Sequence, residues 1–383
     1  MYNYIPLEQA ADILDSYRKP VNSKERLNLI KGKPLDELFP YYGATGQVGW
    51  IDSFLTDGEY ILLGEDGAPF LNPYAEKAYI IYGKTWVNNH AHILRSKTNN
   101  EFLCYYLNYF NYKNYVSGTT RLKLTQAQMR KIPIPNIPSD EQSRIVASIE
   151  ELFSELDKAV DTLKTTKEQL EVYRQTILVD AFRAATNSTY LKVGCVCAKI
   201  VDCPHSTPKW EKSGKLCLRT TNFKRGYLDL QSPNYVSEET FHDRNRRIIP
   251  QPGDVLYSRE GSVLGIACTI PSNVYPCLGQ RMMLLRSGEK LNNRYLMHYL
   301  NSPMVTNHVI ATKGGTGSPH INVGDIKEFK IPIPSLEEQS NIVRQIEEQL
   351  SSCDNVEKTV DAILAQADAM RQSILKQAFE GTL

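Results

Sequence analysis

The sequence predicts an α+β fold: two homologous strand-rich domains, 1–138 and 187–334, alternating with two long helices, 139–186 and 335–383. The helices are expected to pair as an antiparallel coiled coil, giving the chain a pseudo-two-fold from internal duplication. Three observations predict this. DEQSRIVASIEELFSELDKAVD from Asp140 and EEQSNIVRQIEEQLSSCDNVEK from Glu337 align without a gap at a constant offset of 197, and the register persists from YRQTILVDAFRA at Tyr173 to MRQSILKQAFEG at Met370. Both copies carry an apolar residue every seven positions. The stretches between them are strand-like and punctuated by Gly, Pro and Asn.

In the first domain, YYGATGQVGW sets Gly43, Gly46 and Gly49 three apart, like the phosphate-cradling glycines of a dinucleotide-binding turn. That turn needs a buried strand directly before the glycines and a helix directly after. The lead-in PLDELFPYY has charges, two prolines and no β-branched run, and WIDSFLTDGEY shows no helical period. These glycines are therefore expected in tight turns rather than around a cofactor.

The first repeated helix follows KIPIPNIPS, the second KIPIPS; Ser139 and Ser335 are candidate N-caps with acidic residues in the first turn. Ile149, Leu156, Leu163, Leu170 and Ile177 recur every seven residues, as do Ile346, Cys353, Val360, Ala367 and Ile374. Neither segment has an internal Pro or Gly, so each can run about 40 residues, or roughly 60 Å. A single long helix could instead pack on its own domain, but a stripe this narrow and long favours a coiled-coil seam in which the two copies pair as a spacer. The offset far exceeds the roughly 20 to 50 residues of solenoid repeats, so a whole domain plus helix has been duplicated. The domains echo each other more weakly. NNHAHILRSKTNNEFLCYYLNY from Asn88 resembles LGQRMMLLRSGEKLNNRYLMHYLNS from Leu278, and GEYILLGEDG from Gly58 parallels GDVLYSREGS from Gly253.

Net charge is only +1, but its distribution is uneven. The first repeated helix, Ser139 to Ala184, holds ten acidic and six basic residues, and the second, from Ser335, nine and four. The remaining 34 basic and 24 acidic residues leave the strand-rich domains at +10, a balance that fits a polyanion better than a bare scaffold. The polar start MYNYIPLEQAAD lacks signal-peptide character, no apolar run reaches membrane-spanning length, and eight scattered cysteines fit a reducing compartment. A cytoplasmic protein without membrane partners is expected.

Catalytic candidates are weak. Asn72, Pro73 and Tyr74 in LNPYAE are similar to the Asn-Pro-Pro-Tyr turn of amino-methyltransferases but lack the second proline, and a plain turn is expected. KGGTGSPH from Lys313 lacks the Gly-Lys-Ser/Thr ending of a P-loop. Cys195, Cys197, Cys203 and His205 match no usual zinc spacing; Cys195 and Cys197 are expected on one face of a strand as small thiols, and no metal is expected. His90 and His92 alternate along a strand and are expected to be structural. Better supported is contact with nucleic acid from loops: Thr45, Gln47, Lys113, Arg121 and Lys123 in the first domain, and Lys209, Lys224, Arg225, Arg259, Arg281 and Lys313 in the second. Such groups neutralise phosphates and, for a few, reach base edges; each is also readable as an ordinary solvated surface charge.

The alternation of divergent domain and repeated helix, with the IPIP…EEQ lead-ins, GDVLYSREGS, LLGEDG and NNHAHIL, resembles the specificity subunit of type I restriction-modification systems over the full chain. The resemblance implies two target-recognition domains, each reading one half of a bipartite asymmetric site in double-stranded DNA, with helices that set the gap. It implies a non-catalytic subunit that binds no cofactor itself. S-adenosylmethionine would serve two docked adenine methyltransferase subunits, and ATP and Mg the restriction and translocase subunits. A self-contained DNA adenine methyltransferase would need the cofactor motifs missing above, and a coiled-coil scaffold would have no use for the basic domains.

Overall fold

The computed structural model describes residues 3–185, 188–312 and 319–383. It comprises two compact units: Met1–Lys164 with Asp361–Leu383, and Thr165–Val360. Each unit therefore holds one strand-rich domain and a half of each long helix.

Unit 1 runs β1 (Tyr4–Pro6), α1 (Leu7–Ala10), β2 (Ala11–Ile13), α2 (Ser23–Ile30), β3 (Phe39–Gly43), β4 (Gly46–Ile51), β5 (Thr56–Gly64), β6 (Ala78–Val87), β7 (Ala91–Ser96), α3 (Asn100–Tyr109), α4 (Gln126–Met129), β8 (Pro133–Pro135) and the first part of α5 (Ser139–Ala184). Its main sheet is ordered β2-β7-β5-β6-β3-β4. YILL in β5 is a continuous apolar run because the strand is central and covered on both faces. Ile61 and Leu63 face a core shared with α3, while Tyr60 and Leu62 face a second cluster with Ile81, Val87 and Ile93. The GATG segment is the turn of the β3–β4 hairpin, with Gly43 opposite Gly46 and Tyr41 opposite Gly49. A strand on either side of the glycines leaves no helix N-terminus for a pyrophosphate. Gly49 has φ +151, and a Cβ there would fall 1.9 Å from a guanidinium nitrogen of Arg26, whose side chain also caps the Tyr41 ring.

Unit 2 takes the rest of α5, then β9 (Thr189–Lys192), α6 (Val193–Val196), β10 (Cys197–Asp202), β11 (Lys215–Leu218), β12 (Phe223–Lys224), β13 (Tyr227–Leu228), β14 (Tyr235–Val236), α7 (Glu238–Arg244), β15 (Val255–Ser258), β16 (Ala267–Thr269), β17 (Cys277–Leu278), β18 (Met282–Ser287), α8 (Asn293–Asn301), α9 (Pro303–Thr312), α10 (Val323–Glu328), β19 (Lys330–Ile333) and the first part of α11 (Leu336–Glu380). The duplication is legible in strand order. β2-β7-β5-β6 recurs as β10-β18-β15-β16, and the β1–β8 pair as β9–β19. The units differ at the edges. Unit 1 adds the β3–β4 hairpin, and unit 2 adds the β14-β11-β17 sheet and the β12–β13 ribbon.

The helices pair antiparallel within each unit, and the contacts repeat. In unit 1 Asp157 of α5 pairs with Arg371 of α11; in unit 2 the counterpart residues Asp354 and Arg174 pair at 2.8 Å. Such exposed pairs add little stability but discriminate register. Phe379 near the end of α11 packs on Phe102, Tyr106 and Tyr109 of α3, with ring centroids 5.2–5.5 Å away. Phe182, its counterpart in α5, packs on Tyr295 and Tyr299 of α8 at 5.1 Å. Each helix thus grows out of one domain and its far end completes the core of the other domain's unit. Replacing Phe379 or Phe182 by Ala is expected to cost roughly 3–5 kcal/mol. Native-state hydrogen exchange should place the loss in unit 1 for Phe379→Ala and in unit 2 for Phe182→Ala; loss spread equally for either would count against this assignment.

The seam is deeply buried at Ile149, Leu156, Ile177, Ile346, Cys353 and Val360, and only half-buried at Leu163, Leu170 and Ile374. Ile374 is corrected as a principal seam residue: near the end of α11 the burial falls on Leu375, Ala378 and Phe379, because the stripe turns to meet α3. Ser335 caps α11 as expected, its Oγ accepting from Glu338 N–H at 3.2 Å. Ser139 instead lies inside the first turn of α5. The repeated glutamine is the buried fastener of each helix start. Gln142 donates to Ile137 O and accepts from Thr98 Oγ1, while Gln339 donates to Pro334 O and Lys290 O and accepts from Asn292 N–H.

Candidate nucleic-acid interface

The same backbone cradle forms in both units where the central strand ends. Ladder register sets its equivalences. Ile61 lies opposite Leu94, and Val255 opposite Leu285, so Gly64 corresponds to Ser258 and Ala91 to Met282. One residue on, Glu65 N–H donates to His90 O at 2.7 Å, and Arg259 N–H to Arg281 O at 3.0 Å. Leu124 N–H donates to Glu65 O, and Ile321 N–H to Arg259 O; Gly67 N–H donates to Leu122 O, and Gly261 N–H to Pro319 O. Asp66 bridges Lys123, and Glu260 bridges His320. Gly67 and Gly261 both need their missing Cβ, with φ +72 and +90.

On this common frame the side chains differ. In unit 1, His92 is fully buried, with Nδ1 2.8 Å from Asp15 Oδ2 and Nε2 3.0 Å from Leu124 O. Burial pushes the Asp15 carboxyl up, but His92, the Gln126 amide and the Ile93 N–H together hold it below the usual aspartate range. Burial likewise raises Glu65, and Arg18 and Lys123 more than reverse it. Further out, Asp66 Oδ1 takes Arg121 Nη2 at 2.6 Å and His90 Nδ1 at 2.7 Å. In unit 2, the equivalent of Asp15 is Asp202, since Ile13 and Ile200 lie opposite Leu94 and Leu285. Asp202 takes Arg259 through Nε at 2.8 Å and Nη2 at 3.0 Å, and His205 Nε2 at 3.2 Å. Glu260 faces Arg281, Oε1 to Nε 3.8 Å.

Of the residues singled out from sequence, the cradles bring together Arg121 with Lys123 and Arg259 with Arg281. Arg259 is corrected as a surface contact residue: it is 7% exposed and forks onto Asp202, a structural pairing. Lys209 is exposed beside the cradle of unit 2, on the loop that carries His205 and Thr207, and lines a cavity of about 720 Å³ with α7. Thr45 and Gln47 are exposed on the β3–β4 hairpin, Gln47 donating to Gly49 O. The others lie elsewhere. Lys113 lines a cavity of about 530 Å³ with Lys376 of α11 and with Lys77, whose amine is pushed down to about 8 by burial. Lys224 and Arg225 line a cavity of about 560 Å³ against α5 and α11, Arg225 donating to Asn301 O. Lys313 lies outside the described residues.

Sequence reading passed over Asp66 and Gln280, weighed His205 only as a metal ligand, and took His90 as structural, whereas its side chain is 40% exposed at the cradle. Their signal was the echo between NNHAHIL and LGQRMML, which puts His90 at the place of Arg281, but only ladder register ties it to the facing Asp66 and Glu260. His92 is structural, as expected. Cys195 is corrected: it sits in the short helix α6, so it shares no strand face with Cys197, which opens β10. Among the described residues no group of three or more His, Cys, Asp or Glu is placed to hold a metal. Nor is any of their helices long and apolar enough to cross a membrane. Asn72 Oδ1 accepts from Tyr74 N–H at 3.0 Å, an ordinary Asx turn.

Fold and site together define a duplicated protein with two like-built surface cradles, one per unit, carrying different charged side chains. The chain belongs to the type I restriction modification DNA specificity domain family, whose model matches residues 9–172 and 205–364. It is 29% identical over 350 residues to a type I restriction enzyme specificity subunit of Haemophilus influenzae, covering 88% of this chain and 85% of that one. It is 24% identical to the EcoDI specificity subunit of Escherichia coli, over 95% of this chain and 88% of that protein. Among solved structures, the HsdS subunit of Thermoanaerobacter tengcongensis matches with TM-score 0.58 and 20% identity, over 100% and 97% of the two chains. A chain from a study of assembly and conformational transition in a type I R-M system matches with TM-score 0.68 and 19% identity, over 100% and 98%.

Proposed function

We propose that this chain is the DNA sequence-specificity subunit of a type I restriction-modification complex, each unit reading one half of a bipartite asymmetric site. The observation that carries this reading is the pair of cradles: one backbone frame, built twice, with Glu65 exchanged for Arg259, His90 for Arg281 and Lys123 for His320. Conserving a frame while changing its side chains is how one docking geometry reads two sequences. The paired helices dock two adenine methyltransferase subunits and set the gap between half-sites. The chain itself is not catalytic and binds no cofactor. Methyl transfer from S-adenosylmethionine belongs to the methyltransferase subunits, ATP- and Mg-dependent translocation and cleavage to restriction subunits, and the complex works in the cytoplasm.

The test is reconstitution. The purified chain alone should neither methylate nor cut DNA, and adding the methyltransferase subunits made in the same cells should give methylation at one bipartite sequence. Methyl transfer by the chain alone, or methylation without sequence preference in the complex, would overturn the reading.

A further inference from the structure

We infer that Arg281 is the residue with which unit 2 reads a guanine in its half-site, and that His90 holds the matching place in unit 1. This rests on the specificity-subunit reading above and assigns a specificity-determining residue within it.

The two residues are equivalent by register and by their shared backbone bond to the end of the central strand. Each stands at the point where a buried strand begins. Ala91 and Met282, the next residues, are fully buried, whereas the His90 and Arg281 side chains are 40% and 53% exposed. Arg281 has φ +66, a left-handed conformation that a long side chain rarely adopts. Strain of this kind persists where the surroundings over-determine it, and it gathers at functional sites. Here the surroundings are visible. The buried guanidinium of Arg244 donates to the carbonyls of Leu278 and Gly279 just upstream, and also to Pro204 and Ser206 on the facing loop. Gln280 is fixed between Thr207 and His205 O. The loop is therefore clamped from beneath while its last side chain is turned outward, the arrangement that a pre-organised reading group requires.

The two arginines of this cradle are held very differently. Arg259 is locked by two short bonds to Asp202, but Glu260 reaches Arg281 only at 3.8 Å, along the Nε edge. The Arg281 guanidinium lies over Gly261, with Nη1 3.3 Å from where a Cβ would stand. A loosely countered, outward guanidinium matches the O6 and N7 acceptors of guanine, which it can take in a bidentate fork. At His90 the imidazole offers a single contact, and Asp66 also holds Arg121, so unit 1 is built to read its half-site differently.

The experiment uses the full chain, assembled with its methyltransferase subunits, and reads every methylated site in the host genome. Arg281→Ala should lower discrimination at one guanine position of one half-site by about tenfold or more, leaving the other half-site and the gap unchanged. Arg281→Gly suits the left-handed backbone, so it keeps the inference testable if the Ala variant misfolds, and should give the same relaxation. His90→Ala should relax only the opposite half-site. Uniformly slower methylation with both half-sites intact in Arg281→Gly would show that Arg281 contacts phosphate or serves the fold, and would overturn the inference while leaving the specificity-subunit reading in place. Absence of any sequence-specific methylation by the wild-type complex would sink both.

Discussion

A fragment ending at Ala184 should pair with a second copy of itself and, with methyltransferase subunits, direct methylation to a palindrome made of the first half-site and its inverse. The asymmetric site of the full chain should no longer be methylated. The reason lies in how unit 1 is completed. Its core takes Leu375, Ala378 and Phe379 from α11, which the fragment lacks. The fragment's own α5 carries the counterparts at the repeat offset: Leu178, Ala181 and Phe182. In the intact chain those residues fill unit 2, where Leu178 is 4% exposed and Phe182 fully buried. Freed of unit 2, the end of α5 from one copy can fill the gap left by α11 in the other, and the exchange is reciprocal, so the dimer closes. Asp157 and Arg174 supply the flanking ion pair, since they are counterparts of Asp354 and Arg371. Introducing Phe182→Ala into the fragment should cost roughly 3–5 kcal/mol at each of the two exchanged sites and so weaken the dimer strongly, measured by sedimentation. A fragment that stays monomeric, or whose complex still methylates the asymmetric site, would refute the exchange.

That exchange shows where sequence reading reached and where it stopped. The helices were legible because a coiled-coil seam declares itself in one dimension: Ile149 to Ile177 and Ile346 to Ile374 need only a period of seven. The duplicated domains were legible as echoes, and the strand orders agree with them. What the repeat could not reveal is which partner each apolar residue meets. Phe182 and Phe379 fall off the seven-residue series, yet each closes a core against rings of a distant helix, Tyr295 and Tyr299 for the first and Phe102 and Tyr106 for the second. Nor could residue type separate Arg259 from Arg281. Both are arginines in Gly-punctuated loops, and only the fold brings Asp202 within bidentate reach of the first and turns the second outward. Lys224 and Arg225 were grouped with them by composition, but the β12–β13 ribbon carries them to the helix pair instead.

Inserting one heptad into α5 between Leu163 and Leu170 should lengthen the gap between half-sites without changing a base within either. Seven residues keep the seam in register, which three or five would not. The insertion point is a weakly buried part of the seam: Leu163 and Leu170 are half-buried and Ile363 is 43% exposed, so the added turns enter where no seam side chain is fully buried. The anchor residues at the two ends of α5, Ile149 in unit 1 and Ile177 with Phe182 in unit 2, are unchanged, but α11 still runs through both units at its old length, so the single insertion costs stability. The insert adds about 10 Å of helix. With roughly 3.4 Å per base pair and an axis not required to follow the duplex, the gap should grow by about one to three base pairs. Each added base pair also rotates one half-site relative to the other, so methylation should slow where inserted length and DNA twist disagree. A second heptad placed in α11 between Val360 and Ala367 restores the match between the helices, so the double insertion should keep the longer gap and recover stability lost by the single one. Genome-wide methylation maps from cells carrying each variant decide the matter: a gap unchanged in both, or altered half-sites, would show that the helices do not set the spacing.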